Sequence, residues 1–312
     1  MNEFTLIAAI RKAAEALPDN GFVGIGDDCA ILPLGDESLV FTSDALCEGV
    51  HFLRSATSPR ELGEKTLAVN LSDVASMGVR PVAVLLSLSL PLTVSEAWAT
   101  EFMAGFMALA ERHGVALIGG DTTRSEGGIA LSVTAIGRGA TAHLKRRNAA
   151  RVGDTLLVSD RLGASAAGLR DLVAGELDTP QATLHRRPEA EIEAGAWLGA
   201  REEVHAMMDL SDGLHSDLQH ILKESAVGAT VELTQLPVAE GATLADAAAG
   251  GEDYKLLLTA DSERVETLCR DFEQHFGRPL YPIGRITSTQ RCCWQMDGEP
   301  YEPSWRSFAH FE

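Results

Sequence analysis

The segment from Ser58 to Pro81, SPRELGEKTLAVNLSDVASMGVRP, constrains this chain more than any other. Its opening has the marks of a helix start: Ser58 as cap, Pro59 at the first helical position, and Glu61 three residues after the cap to complete a capping box. Gly78 and Pro81 end it. Between them, Leu67, Ala68, Val69, Leu71, Val74, Ala75 and Met77 make the helix apolar nearly all round, so it must be buried. Yet Lys65, Asn70, Ser72 and Asp73 lie in the same segment. At roughly 100° per residue, Lys65, Ser72 and Asp73 share one broad face, with Asn70 beside Asp73. A buried carboxylate is costly unless it is paired or coordinates a metal. Taken alone, the segment leaves two readings open: a Lys65–Asp73 ion pair, or a metal site.

The rest of the chain narrows the choice. Its 312 residues suffice for two domains. The net charge of −19 argues against nucleic acid and against an anionic membrane as partners. It leaves room for a phosphorylated substrate reached through divalent cations. The longest apolar run, residues 81–92, is too short to span a bilayer and reads as a buried strand. The N-terminal residues 1–17 have neither signal-peptide nor transit-peptide character. The five cysteines, Cys29, Cys47, Cys269, Cys292 and Cys293, show no zinc spacing and read as reduced thiols in a cytoplasm.

Periodicity predicts helices over 4–17, over the segment above, from a Thr93/Glu96 capping box to His113, over 162–172, up to Arg201, from an Asp212 cap to Ala226, and near 242–249 and 262–275. Strands are expected at 38–45, 82–90, 115–118, 129–137, 155–159, 230–233, 254–259 and 282–287. Residues 177–189 read as a loop. The basic stretch 140–152, ATAHLKRRNAARV, interrupts an acidic protein and is taken as the boundary between domains at 1–140 and 150–312. Asn70-Leu-Ser-Asp73 echoes Asp209-Leu-Ser-Asp212, and each is followed by a Gly-Gly-acid motif, which favours related halves.

Acids follow strands or sit in glycine-rich turns at Asp27, Asp28, Asp44, Asp73, Asp121, Asp209, Asp212, Glu252 and Asp253. Singly each reads as a turn residue or a cap. If several converge, cations must neutralise them. Carboxylates with hydroxyls such as Thr42, Ser43 and Ser72 are hard oxygen ligands suited to Mg²⁺. Mg²⁺ favours phosphate oxygens, which points to a nucleotide triphosphate and phosphoryl transfer. Neither a P-loop nor a G-x-G-x-x-G fingerprint is present, so ATP would bind by an acidic, metal-rich route.

GIGDDCA at 24–30, TSD at 42–44 with EGVHF at 48–52, KTLAVNLSDVASMG at 65–78, IGGDTTRS at 118–125, MDLSDGLHSDL at 208–218 and GGEDYKL at 250–256 together resemble the thiamine-monophosphate kinases. The wider superfamily includes aminoimidazole ribonucleotide synthetase, selenophosphate synthetase and a hydrogenase maturation protein. The resemblance implies an α/β (α+β) two-domain fold of aminoimidazole ribonucleotide synthetase type that dimerises through its N-terminal sheets. It implies in-line transfer of the ATP γ-phosphoryl group to thiamine monophosphate, giving thiamine diphosphate with no phosphoenzyme. By position in the motifs, Asp28, Thr42, Ser43, Asp44, Asp73, Asp121, Asp209 and Asp212 match Mg²⁺ ligands, with Asp73, Asp121 and Asp212 at the catalytic centre. Gly120, Asp121, Arg147 and Ser211 match ATP contacts. His51, Glu252 and Phe308 match substrate contacts, with Trp305 as the alternative aromatic. The family's [TS]-R-x-G-A segment here reads Arg146-Arg147-Asn148-Ala149-Ala150, so both arginines stand for the ATP contact. The alternatives are another ATP-using enzyme of the superfamily, or a non-catalytic protein that binds divalent cations.

Overall fold

The computed structural model describes residues 3–305. Phe308 and the rest of the WRSFAHF segment after Trp305 lie outside the described residues. The chain runs α1 (Glu3–Glu15), β1 (Ala30–Leu34), β2 (Glu37–Cys47), α2 (Pro59–Ser76), β3 (Arg80–Leu90), α3 (Glu96–His113), β4 (Ala116–Arg124) and β5 (Ala130–Ala140). After the basic segment come β6 (Thr155–Val158), α4 (Ala164–Ala174), α5 (Pro180–Arg186), α6 (Ile192–Gly199), β7 (Val204–Asp209), α7 (Leu214–Glu224), β8 (Gly228–Glu232), α8 (Leu244–Ala249), β9 (Leu256–Ala260), α9 (Val265–Phe276), β10 (Tyr281–Thr287), β11 (Cys292–Met296) and β12 (Glu299–Tyr301). The first half holds a five-stranded sheet ordered β1-β2-β5-β3-β4, and the second a seven-stranded sheet ordered β12-β11-β8-β10-β6-β9-β7. Both sheets are mixed: β3–β4 and β8–β11 are parallel pairs among antiparallel ones.

α2 is the central element. Its capping box forms as the sequence requires, with Ser58 Oγ accepting from Glu61 N and Glu61 Oε2 accepting from Ser58 N. Fourteen of its eighteen residues are buried, so it is enclosed on every side rather than amphipathic. It packs on α3, on β2 and β5, and on α6 and β7 of the second half. Glycines allow that closeness. A Cβ at Gly63 would lie 2.1 Å from the Phe102 carbonyl of α3, and one at Gly195 of α6 would lie 2.2 Å from the Ala75 carbonyl. Any side chain at either position would push the helices apart.

Several expectations change. α3 is capped by Ser95, whose hydroxyl accepts from Trp98 N at 3.1 Å, and Thr93 instead accepts from Arg54 at 3.3 Å. α7 carries no side-chain cap from Asp212; Asp217, one turn in, folds back to accept from the Asp212 and Gly213 N–H groups. Residues 177–189 contain α5, capped by Thr179 with Pro180 at its first position. The 81–92 run is buried on one face only, since Val82 is 38% and Leu85 36% exposed. The strand expected at 115–118 continues through Gly119-Gly120-Asp121 to Arg124. The Leu-Ser-Asp echo is not a structural repeat: residues 70–73 lie inside a helix, whereas 209–212 end a strand and turn. β7, β11 and β12 were not expected. Among the described residues no helix is long and apolar enough to cross a membrane.

Candidate active site

The C-terminal half of α2 meets the loop before β1 and the end of β7 at a cluster of acids. Carboxylate oxygens of Asp28, Asp73 and Asp209 lie within 4.8 Å of one another. Asp28 comes from the loop before β1, Asp73 from α2, and Asp209 from the end of β7. Hydroxyls hold each in place. Thr42 Oγ1 donates to Asp73 Oδ2 at 2.5 Å, Ser72 Oγ to Asp209 Oδ2 at 2.6 Å, and Ser76 Oγ to Asp28. Ser72 and Asp209 belong to different halves, so this bond ties the halves together at the site.

The cluster is electrostatically unbalanced. Asp73 is pushed well above the usual carboxylate range, first by desolvation and then by Asp44, Asp209 and Asp28. Asp209 is also pushed up, by burial and by Asp28, against the bond from Ser72. The cationic side is Arg147, whose guanidinium bonds Asp28. Arg146 Nε bonds Asp27 Oδ2 at 2.9 Å, and Asp27 Oδ1 accepts from Arg147 N at 2.9 Å. The basic segment is therefore part of the site rather than a solvated linker. Three converging carboxylates ringed by hydroxyls, with one guanidinium on Asp28, form an all-oxygen donor set that fits a hard divalent cation such as Mg²⁺.

Not all the expected residues gather here. Asp44 is exposed at the mouth, and its N–H donates to Asn70 Oδ1 at 2.9 Å, so Asn70 serves as a strut. Strand alternation turns Ser43 away from Thr42; its hydroxyl lies 3.5 Å from that of Ser132 on β5. Asp121 stands exposed on the edge strand β4 opposite Ser87, apart from the three carboxylates that meet. Gly120 has a packing reason of its own: at φ 150°, its Cβ would lie 1.8 Å from the Leu86 carbonyl. Asp212 is half-buried in the turn after β7, and the Ser211 carbonyl accepts from Glu252 N at 2.7 Å.

A second cluster sits at the other end of α2. Lys65 pairs with Glu252 at 2.9 Å and not with Asp73. It also donates to the His51 carbonyl at 3.1 Å. His51 Nδ1 accepts from Cys47 N at 3.0 Å, which leaves the ring proton on Nε2 in the neutral form. Trp305 packs edge-on to Trp294 and stacks on Tyr301 in the second half's core. Sequence reasoning passed over Asp217, Ser76 and His185. Asp217 carried a signal, as an acid in the first turn of a helix that follows Asp-Gly.

The two halves of the chain match the models for the AIR synthase related protein N-terminal domain, over residues 26–139, and C-terminal domain, over residues 151–293. The thiamine-monophosphate kinase of Haemophilus influenzae is 37% identical, over 100% of this chain and 98% of its own. That of Escherichia coli K12 is also 37% identical, over 99% and 98%. The chain belongs to the thiamine-monophosphate kinase family. A solved member of the family, AaThiL complexed with AMPPCP and TMP, superposes with a TM-score of 0.86 at 32% identity, covering 99% of this chain and 97% of that one. Family membership and the AIR synthase-related fold agree with the two-sheet architecture.

Proposed function

We propose that this chain transfers the γ-phosphoryl group of ATP to thiamine monophosphate, releasing thiamine diphosphate and ADP. The observation that carries the reading is the convergence of Asp28, Asp73 and Asp209 between the halves of a kinase-family chain, an acidic site with hydroxyl struts and a single guanidinium. The kinship to a structure solved with AMPPCP, an ATP analogue, and TMP supports both substrates. Bound Mg²⁺ supplies charge neutralisation on the phosphate oxygens. The chain's own work is positional. Thr42, Ser72 and Ser76 hold the three carboxylates in a fixed array. Asp44 of β2, Asp121 of β4 and Asp212 in the turn after β7 extend the ligand set toward the open side. Gly120 and Ser211 line the nucleotide path, and Arg147 would meet its phosphates. His51, Glu252 and Phe308 receive the thiamine. The acceptor phosphate attacks in line, so no side chain of the protein forms a phosphoenzyme.

Residues 1–140 form the metal-binding and dimerising domain in this reading, and 150–312 the second domain. The open face of the five-stranded sheet, with Val82, Leu85 and the 58%-exposed Ile118, supports a homodimer formed through that sheet. The setting is cytoplasmic, in keeping with five cysteines and no disulfide among the described residues.

A coupled ADP-release assay with thiamine monophosphate, ATP and Mg²⁺ tests the proposal. Turnover that requires all three components is expected. Turnover only with a different acceptor would transfer the assignment to another ATP-using member of the superfamily. Cation binding without any ATP turnover would make the chain a non-catalytic binder.

A further inference from the structure

We propose that Lys65 is a positioning residue for the acceptor substrate: its buried ammonium ties the 48–52 loop to the 250–254 segment and so aims Glu252 at thiamine monophosphate. The inference rests on the reading above, in which His51 and Glu252 contact that substrate.

Lys65 is 1% exposed and projects from the N-terminal half of α2. Its Nζ makes two bonds, to the His51 carbonyl at 3.1 Å and to Glu252 Oε2 at 2.9 Å. One ammonium therefore joins the two segments that carry the proposed substrate contacts, one from each half of the chain. Ser165 and His185 complete the arrangement. His185 Nδ1 lies 2.9 Å from Ser165 Oγ and 3.4 Å from Glu252 Oε2. Burial holds His185 neutral, with Lys65 adding to that push, so Lys65 supplies the positive charge. Both contacts to the Glu252 carboxylate, from Lys65 and from His185, fall on Oε2. Oε1 is left for a ligand, on a side chain that is still 22% exposed.

The backbone here is strained in support of that aim. Glu252 has φ 64° and Tyr254 φ 50°, left-handed conformations that a bulky residue adopts only when its surroundings hold it. The Glu252 and Tyr254 N–H groups bond the Ser211 and Leu210 carbonyls at 2.7 and 2.9 Å. Glu252 is thus fixed by its backbone to the loop that follows Asp209, and by its side chain to α2, which carries Asp73. The metal end and the acceptor end of the site share one frame.

A purely structural role, clamping the two halves together, is already filled. Arg186 pairs with Glu61 at 2.9 Å and Arg187 with Glu64 at 2.6 Å, on the turn of α2 just before Lys65. Arginine's forked donors suit that clamp. Lysine, a point charge with three donors, suits a junction between a carbonyl and a carboxylate.

The test is steady-state kinetics of the full-length protein carrying Lys65→Met, Glu252→Gln, or both. Lys65→Met is expected to raise the KM for thiamine monophosphate at least tenfold, while the KM for ATP and kcat stay within about threefold of the unsubstituted protein. Glu252→Gln should show the same selective rise. The double variant should be no worse than the more impaired single, because Lys65 acts through Glu252. Equal rises in both KM values, or a KM for thiamine monophosphate that does not move, would overturn the proposal. If Glu252→Gln raises that KM and Lys65→Met does not, the positioning role falls and the substrate reading stands. If Glu252→Gln has no effect, both fall. Should Lys65→Met fail to fold, the double variant, which leaves no uncompensated buried charge, decides alone. Losses beyond threefold over Glu252→Gln count against the proposal, and equality with it counts for the proposal.

Discussion

The two ends of α2 treat charge in opposite ways. At the N-terminal end Glu61, Glu64 and Lys65 each meet an opposite charge from the second half of the chain: Arg186, Arg187 and Glu252. At the C-terminal end Asp73 meets like charges, Asp28 and Asp209, with one guanidinium, Arg147, on Asp28. Both ends are largely enclosed, so solvent screening explains neither arrangement. Complementary pairs are what a helix between two domains needs in order to hold them in register. An unbalanced acidic cluster destabilises the protein by itself and is understandable only where a cation completes it. The helix therefore joins the halves at one end and keeps an incomplete site at the other, and its rigid body sets the distance between them.

The largest expected effect breaks the contrast at its acidic end. Asp73→Asn should lower turnover at least about a thousandfold, roughly 4 kcal/mol in barrier, with the fold retained. The same substitution removes a carboxylate that is protonated more readily in the folded state than in the unfolded one, so metal-free protein at neutral pH should melt at a higher temperature than the unsubstituted chain. Mg²⁺ should then stabilise the unsubstituted chain and barely affect the variant. ADP release and thermal unfolding with and without Mg²⁺ measure all three. Activity within about tenfold, roughly 1.4 kcal/mol, would show that Asp73 is not a ligand at the centre of the reaction.

How much of this was legible in the sequence follows the same division. The acidic end could be read because it is built from local signatures: an all-apolar helix that nonetheless carries Asp73, and acids in the glycine-rich turns and strand ends around it. The paired end could not, because a lysine in a buried helix does not say which of many acids it reaches. Lys65–Asp73 was the nearer choice along the helix, and the structure supplies Glu252, 187 positions away. Likewise Arg146 and Arg147 read as alternative ATP contacts, and only the fold shows that each meets an acid, Asp27 and Asp28. Alternation within β2 separates Thr42 from Ser43, which the sequence grouped together as hydroxyls. Asp121 stands on an exposed edge strand whose length the Gly-Gly pair concealed. Glycine argues against a strand, yet here a bulge between β3 and β4 accommodates it.

The next effect probes the paired end through pH. His185 sits against Lys65 and Glu252, and burial lowers its pKa to about 4 from an unfolded value near 6.5. Between those values the unfolded chain binds more protons, so stability is fully present above about pH 6.5 and is lost as pH falls toward 4. His185 alone accounts for about 2–3 kcal/mol across that window. His220, also lowered to about 4 by burial and Arg147, shares the window at the acidic end. Urea unfolding at pH 7 and pH 5 should therefore show a clear loss for the unsubstituted chain and a smaller one for His185→Gln, with the His220 share remaining. An unchanged slope in the variant would mean that His185 is not held neutral by burial against Lys65.

The smallest effect bounds the comparison from outside. Arg80 of β3 and Glu193 of α6 also join the two halves, through two bonds of 2.5 Å, but both side chains are more than half exposed, at 56% and 64%. In geometry this forked pair is as good as the buried ones beside α2. In water the charges are solvated before they meet, and the two side chains lose rotamer freedom when they do, so the net gain is small. Arg80→Ala should cost less than about 1 kcal/mol, a shift of a few degrees at most in a chain of this size. The shift should vanish in molar salt, where screening reaches about 3 Å. A loss well beyond that, or one that persists in salt, would mean that the halves are held by their rim as much as by α2. The contrast between the two ends of the helix would then no longer account for how the domains are kept in place.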